Sequence, residues 1–184
     1  MDKGNRTSGF TLIELLLVLG ISSLLLVSAL ALPAYWVKQN RFTHHTYRFL
    51  EALEFARSYA MISGVTTTIC SSDGTARCAG TAYEKGWIVF GEQPDSTNGI
   101  LDHGENILIV QQSDDEDISI RSKTFSQFII YDRFGRANYN GRFVLCSGPQ
   151  VQTVAELIVI KSGRVRLAQH QDDEQPSAMP DCLR

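Results

Sequence analysis

Between residues 10 and 32 this 184-residue sequence has one charged side chain, Glu14, and between residues 91 and 118 it has no lysine or arginine. It contains no G-x-S-x-G, H-E-x-x-H or Walker sequence, so the common catalytic and phosphate-cradling arrangements are absent. The four histidines (His44, His45, His103 and His170) are scattered. His44 and His45 are adjacent on a helix, about 100° apart, and make a poor chelating pair. There is no Cys-x-x-Cys pair, which argues against zinc. Residues 95–102 match a calcium loop only at Asp95, with Gly99 one position early, so they read as a structural acidic loop. The sequence is therefore read as that of a non-enzyme with no metal and no cofactor.

The apolar run of residues 10–32 would form a helix of roughly 34 Å, against a hydrocarbon core of about 30 Å. This argues against a purely cytosolic protein. A removable secretory signal has an apolar run of only about 7–15 residues, so this longer run is expected to remain as an anchor. A carboxylate at Glu14 in lipid costs a few kcal/mol unless it is paired or near the interface. Read from the residues alone, Glu14 either has a functional partner or lies at headgroup depth.

Pro33 can kink the helix, and beyond it Phe42, Thr46, Phe49, Leu53, Ala56 and Ala60 recur at spacings of three and four. That spacing predicts an amphipathic continuation over residues 33–64, with Gly64 as its stop. Eight strands are expected at 66–70, 87–90, 107–112, 118–122, 128–131, 142–146, 157–161 and 164–168, separated by turn residues. Strands covering the helix stripe give an α+β domain over residues 65–184.

The net charge of −3 conceals blocks of opposite sign. Residues 91–118 hold eight acids, residues 119–168 hold eight basic side chains against Asp132 and Glu156, and the tail from residue 169 has four acids and Arg184. Lys161-Ser162-Gly163-Arg164-Val165-Arg166 reads as a two-residue Ser-Gly hairpin turn, with Arg164 and Arg166 on one strand face and Lys161 beside the turn. Such cations can reach successive phosphates, and Arg133, Arg136 and Arg142 could extend the patch, giving non-specific, salt-sensitive affinity for DNA. The alternative is a solvated strand face whose charges pair with the acids at 114–117 or 172–174, or meet another subunit. The acids at 172–174 could also shield the hairpin.

The segment Gly9-Phe10-Thr11-Leu12-Ile13-Glu14-Leu15, behind a leader carrying Lys3 and Arg6, resembles the class III signal of type IV prepilins and type II secretion pseudopilins. The stretch 84–90, the Asp102-His103-Gly104-Glu105-Asn106 segment, the Tyr131-Asp132-Arg133-Phe134-Gly135-Arg136 segment and the strand at 143–146 resemble the GspH/FimT group of minor pilins and pseudopilins. The resemblance implies a type IV pilin-like fold, in which a long N-terminal helix packs on an antiparallel β-sheet domain. It implies that a prepilin peptidase and methyltransferase cuts after Gly9 and methylates Phe10. It also implies that Glu14 pairs with the terminal amine of a neighbouring subunit. Its partners would be major and other minor pilins or pseudopilins, and its place the bacterial inner membrane, later the pilus.

On this basis residues 1–9 are the leader and residues 10–32 the transmembrane and assembly helix. Lys3 and Arg6 hold the N-terminus in the cytoplasm and send the domain to the periplasm. The Gly-Arg-x-Arg arrangement at 163–166 is similar to a motif associated with DNA binding in FimT-like minor pilins of naturally transformable bacteria. A GspH-like pseudopilin of a type II secretion system, or a pilus-priming subunit without DNA binding, is the alternative function. In the oxidising periplasm Cys70, Cys78, Cys146 and Cys182 are expected to form two disulfides. Three connectivities are possible, and Cys70–Cys78 with Cys146–Cys182 is the expected one.

Overall fold

The computed structural model of the chain describes all residues except 1–9, 32, 74, 81–82, 95, 97–98, 113–116, 149–152 and 170–184. Two compact units are distinguished, residues 1–41 and residues 42–184.

The first unit holds helix α1 (Leu12–Ala31) and the start of helix α2 (Pro33–Ser63). Thr11 caps α1: its hydroxyl accepts the Glu14 N–H at 3.4 Å and its carbonyl accepts the Leu15 N–H at 3.2 Å. Thr11 and Glu14 have the Thr-x-x-Glu spacing of a capping box. Pro33 opens α2, a position where its missing N–H costs no hydrogen bond. The side chains of α1 described up to Val27 are exposed, including Leu12, Ile13, Leu24 and Val27. Among the described residues no helix is long and apolar enough to cross a membrane.

In the second unit α2 ends where the Gly64 N–H bonds the Ala60 carbonyl at 3.0 Å. The six residues of the expected stripe, Phe42 through Ala60, are all buried. Around them lie strands β1 (Thr67–Ser71), β2 (Gly86–Gly91), β3 (Asn106–Gln112), β4 (Ile118–Arg121), β5 (Phe128–Tyr131), β6 (Gly141–Ser147), β7 (Thr153–Val159) and β8 (Val165–Gln169). They form two antiparallel four-stranded sheets, in the orders β3-β2-β1-β5 and β4-β6-β7-β8. Both sheets line one core, in which the Phe49 ring meets Trp87 at 5.0 Å and Phe143 at 4.9 Å. Aromatic pairs at such separations add to burial by about 0.5–1.5 kcal/mol each.

The other face of the first sheet is also covered. Cys70, Ile88 and Phe90 form a second buried cluster against Cys78, Leu101 and Phe128. This is why β1 and β2 show no alternation of buried and exposed residues. The Cys70–Cys78 disulfide closes an eight-residue separation at this layer. The second expected bridge, from Cys146 to Cys182, ends on a residue outside the described ones.

Candidate basic interface

The hairpin joining β7 to β8 is closed by Ile160 and Arg164, whose backbones bond through the Ile160 N–H and the Arg164 carbonyl at 3.1 Å. Within it the Gly163 N–H donates to the Ile160 carbonyl at 2.7 Å, and Gly163 has a φ of 82°. This is a three-residue loop, Lys161-Ser162-Gly163, which corrects the expected two-residue Ser-Gly turn. A three-residue hairpin places its glycine last, in the left-handed conformation, as Gly163 is here. Arg164 and Arg166 still fall on one side of the ladder, because Val165 and Leu167 pack against the core.

A second turn, residues 132–136, lies against this loop. Its hub is Asp132, whose Oδ1 accepts the Phe134 and Arg136 N–H groups, both at 2.9 Å, while Oδ2 accepts the Arg136 Nε–H at 2.8 Å. Partial burial opposes the Asp132 charge, but the Arg136 backbone and side-chain bonds and the Phe134 N–H outweigh it. The carboxyl is thereby held below its ordinary range. Arg57 of α2 donates from Nε to the Gly135 carbonyl at 3.1 Å.

The two turns meet backbone to backbone. A Cβ on Gly163 would overlap the Gly135 carbonyl oxygen and come within 2.8 Å of Arg57 Nε. Nearby, the Ala137 N–H donates to the Lys161 carbonyl at 3.1 Å, and the Lys161 N–H donates to Asn140 Oδ1 at 2.5 Å. Two segments separated by about 28 residues are thus fixed side by side, bringing Arg133 and Arg136 next to Lys161 and Arg164. All four are exposed.

The remaining two cations sit differently. Arg142 on β6 and Arg166 on β8 flank Ile158 of β7 in register, on the outer face of the second sheet. Arg166 is exposed, whereas Arg142 Nη1 lies 3.5 Å from Glu156 Oε2. Arg142 is therefore the more neutralised of the two. Lys161, Arg164 and Arg166 make no ion pair with any described residue, so the described acids do not neutralise them.

Two contributors were missed in the sequence. Phe134 is 61% exposed, with the Arg133 and Arg136 guanidiniums 5.0 and 5.2 Å from its ring centroid. Its place between two arginines was the available signal. Arg57 falls off the Phe42–Ala60 stripe in the sequence, and no local pattern indicates that it would reach Gly135.

Two acids of the acidic segment, Glu92 and Glu105, are buried. Glu92 accepts the Gly99 N–H at 2.7 Å and the Thr68 hydroxyl, and Glu105 accepts the Gln93 and Asp102 N–H groups at 3.2 and 2.8 Å. Burial raises the Glu92 pKa despite those bonds. Among the described residues no group of three or more His, Cys, Asp or Glu could hold a metal ion.

Residues 45–163 match the family described as type II transport protein GspH, and residues 4–30 match the prokaryotic N-terminal methylation motif. The fold is similar to that of the Pseudomonas aeruginosa PAO1 type IV minor pilin FimU in its P21 crystal form. That likeness has a TM-score of 0.58 and 14% identity, and it covers 77% of this chain and 97% of that one. The P65 form of the same pilin gives a TM-score of 0.50 at 16% identity, over 68% and 89% of the two chains. No curated protein is significantly similar in sequence.

Gly163→Ala should separate the two turns, since it places a side chain on a left-handed backbone and against Gly135. A loss of at least about 1 kcal/mol is expected, read as a lowered melting midpoint by near-UV circular dichroism of the detergent-solubilised chain. An unchanged midpoint would show that the turns do not depend on this contact.

Proposed function

The chain belongs to the GspH family of type IV pilin-like proteins, and we propose that it is a minor type IV pilin whose basic edge captures DNA for uptake. The observation that carries this reading is the docking of the 160–164 loop on the 132–136 turn. It sets the loop that carries Lys161 and Arg164 against the turn in which Arg133 and Arg136 flank the exposed ring of Phe134. Cations at such spacing neutralise phosphates without reading sequence, and an exposed aromatic beside them offers a face to bases. Arg166 extends the surface along β8, and Arg142 adds to it less because of Glu156.

In this reading residues 1–9 are the leader, removed between Gly9 and Phe10, and residues 10–32 anchor the chain in the inner membrane. Lys3 and Arg6 keep the N-terminus cytoplasmic and the domain periplasmic. The exposed apolar side chains of α1 support this, because a surface of that kind requires lipid or other subunits around it. Glu14 then meets the terminal amine of a neighbouring pilin. Intact-mass measurement of the membrane-extracted chain should show loss of residues 1–9 and gain of one methyl group. A mass retaining the leader would contradict the assignment.

The GspH family description favours a second reading, a minor pseudopilin of a type II secretion system whose basic edge meets another subunit. Gel-shift titration of the detergent-solubilised chain separates the two. DNA capture predicts a shift at low salt that weakens about a thousandfold or more between 50 and 200 mM salt if some six phosphates are engaged. It also predicts at least a tenfold loss for Arg164→Glu with Arg166→Glu. No shift at low salt, or a double variant that binds like the parent, leaves the structural reading in its place.

A further inference from the structure

Beside the basic edge lies a cavity of about 650 Å³ on the outer side of the second sheet. We propose that it takes one unpaired nucleotide of the bound DNA, so that the protein favours single-stranded segments or frayed ends over blunt duplex. The proposal rests on the DNA reading above and assigns the cavity its ligand.

The lining has the three kinds of surface a nucleotide requires. Val144 and Ile158 provide an apolar floor for the flat face of a base. Glu156, only 3% exposed, provides a carboxylate that can accept from exocyclic amino groups. Arg121, Lys123 and Arg142 provide cations for the phosphate, although Arg121 also pairs with Glu84 at 2.6 Å. The volume falls in the usual range for small-ligand sites. A paired, stacked base cannot enter such a recess without leaving the helix, which costs a few kcal/mol in duplex and little in a single strand.

Continuity with the hairpin supports a nucleotide over an unrelated ligand. Asn140 lines the cavity and its Oδ1 accepts the Lys161 N–H at 2.5 Å, so cavity wall and hairpin tip are joined by one side chain. Across the sheet, Arg142 and Ile158 of the cavity are in register with Arg166 of the hairpin. A strand whose phosphates lie on Arg164 and Arg166 therefore passes the cavity mouth.

The test uses the full chain in detergent with three probes: a single-stranded oligonucleotide, a blunt duplex of the same length, and deoxyadenosine monophosphate alone. Lys123→Glu should weaken single-strand binding about fivefold or more, the size expected for losing one bound base, while duplex binding stays within about twofold. The mononucleotide should compete with the single strand and not with the duplex. Equal losses on both DNA forms, or none, would overturn the proposal. So would competition by a short acidic peptide in place of the mononucleotide, which would make the cavity a peptide site. Calorimetric titration of the mononucleotide keeps the two readings apart. Binding of DNA without binding of the mononucleotide would defeat the cavity proposal alone, whereas binding of neither DNA form would defeat the DNA reading and with it the cavity proposal.

Discussion

Two glycines with positive φ, Gly135 and Gly163, lie where two turns approach so closely that neither leaves room for a Cβ. Gly135 faces the Met61 side chain, and Gly163 faces the Gly135 carbonyl. That carbonyl also accepts from Arg57, so helix, first turn and second turn are linked in one chain of contacts. The basic edge depends on this backbone approach. Five exposed cations would repel one another on a mobile surface, and a rigid pair of turns fixes their spacing. Asp132 contributes a single carboxylate that organises its own turn and partly offsets the adjacent guanidiniums.

Much of the fold was legible because burial imposes a period on the sequence. The helix stripe from Phe42 to Ala60 is fully buried, and each expected strand is present with ends shifted by a few residues. The largest shift is at β7, which begins at Thr153, well before the expected residue 157. Val154, Ala155 and Glu156 are all buried there, and Glu156 breaks the apolar pattern that would have extended the strand in the sequence. The division into two sheets was not legible, since strand period reports the face of a residue and not the neighbour of a strand.

The candidate surface was legible in part, for the same reason. Spacing alone placed Arg164 and Arg166 on one face of a hairpin. It could not reveal that Arg142 would sit beside Glu156, because that pair arises from the register of β6 on β7. Nor could it show the meeting of residues 132–136 with 160–164, which depends on two backbones fitting without side chains. The three-residue loop was misread because a Ser-Gly pair suits more than one hairpin length, and the packing of Gly163 on Gly135 fits the longer loop. Of the acids expected to pair with the hairpin, those at 114–116 and 172–174 lie outside the described residues, while Glu92 and Glu105 accept hydrogen bonds from donors close to them in sequence and strand. A net charge of −3 is therefore compatible with a strongly basic edge.

The union of the two turns into one DNA-facing surface is the central claim, and amide chemical-shift mapping of the detergent-solubilised chain with a short duplex addresses it most directly. Residues 133–136 and 161–166 should shift together along one titration curve, with 92–105 unmoved. Shifts in only one of the two turns, or none in either, would contradict it.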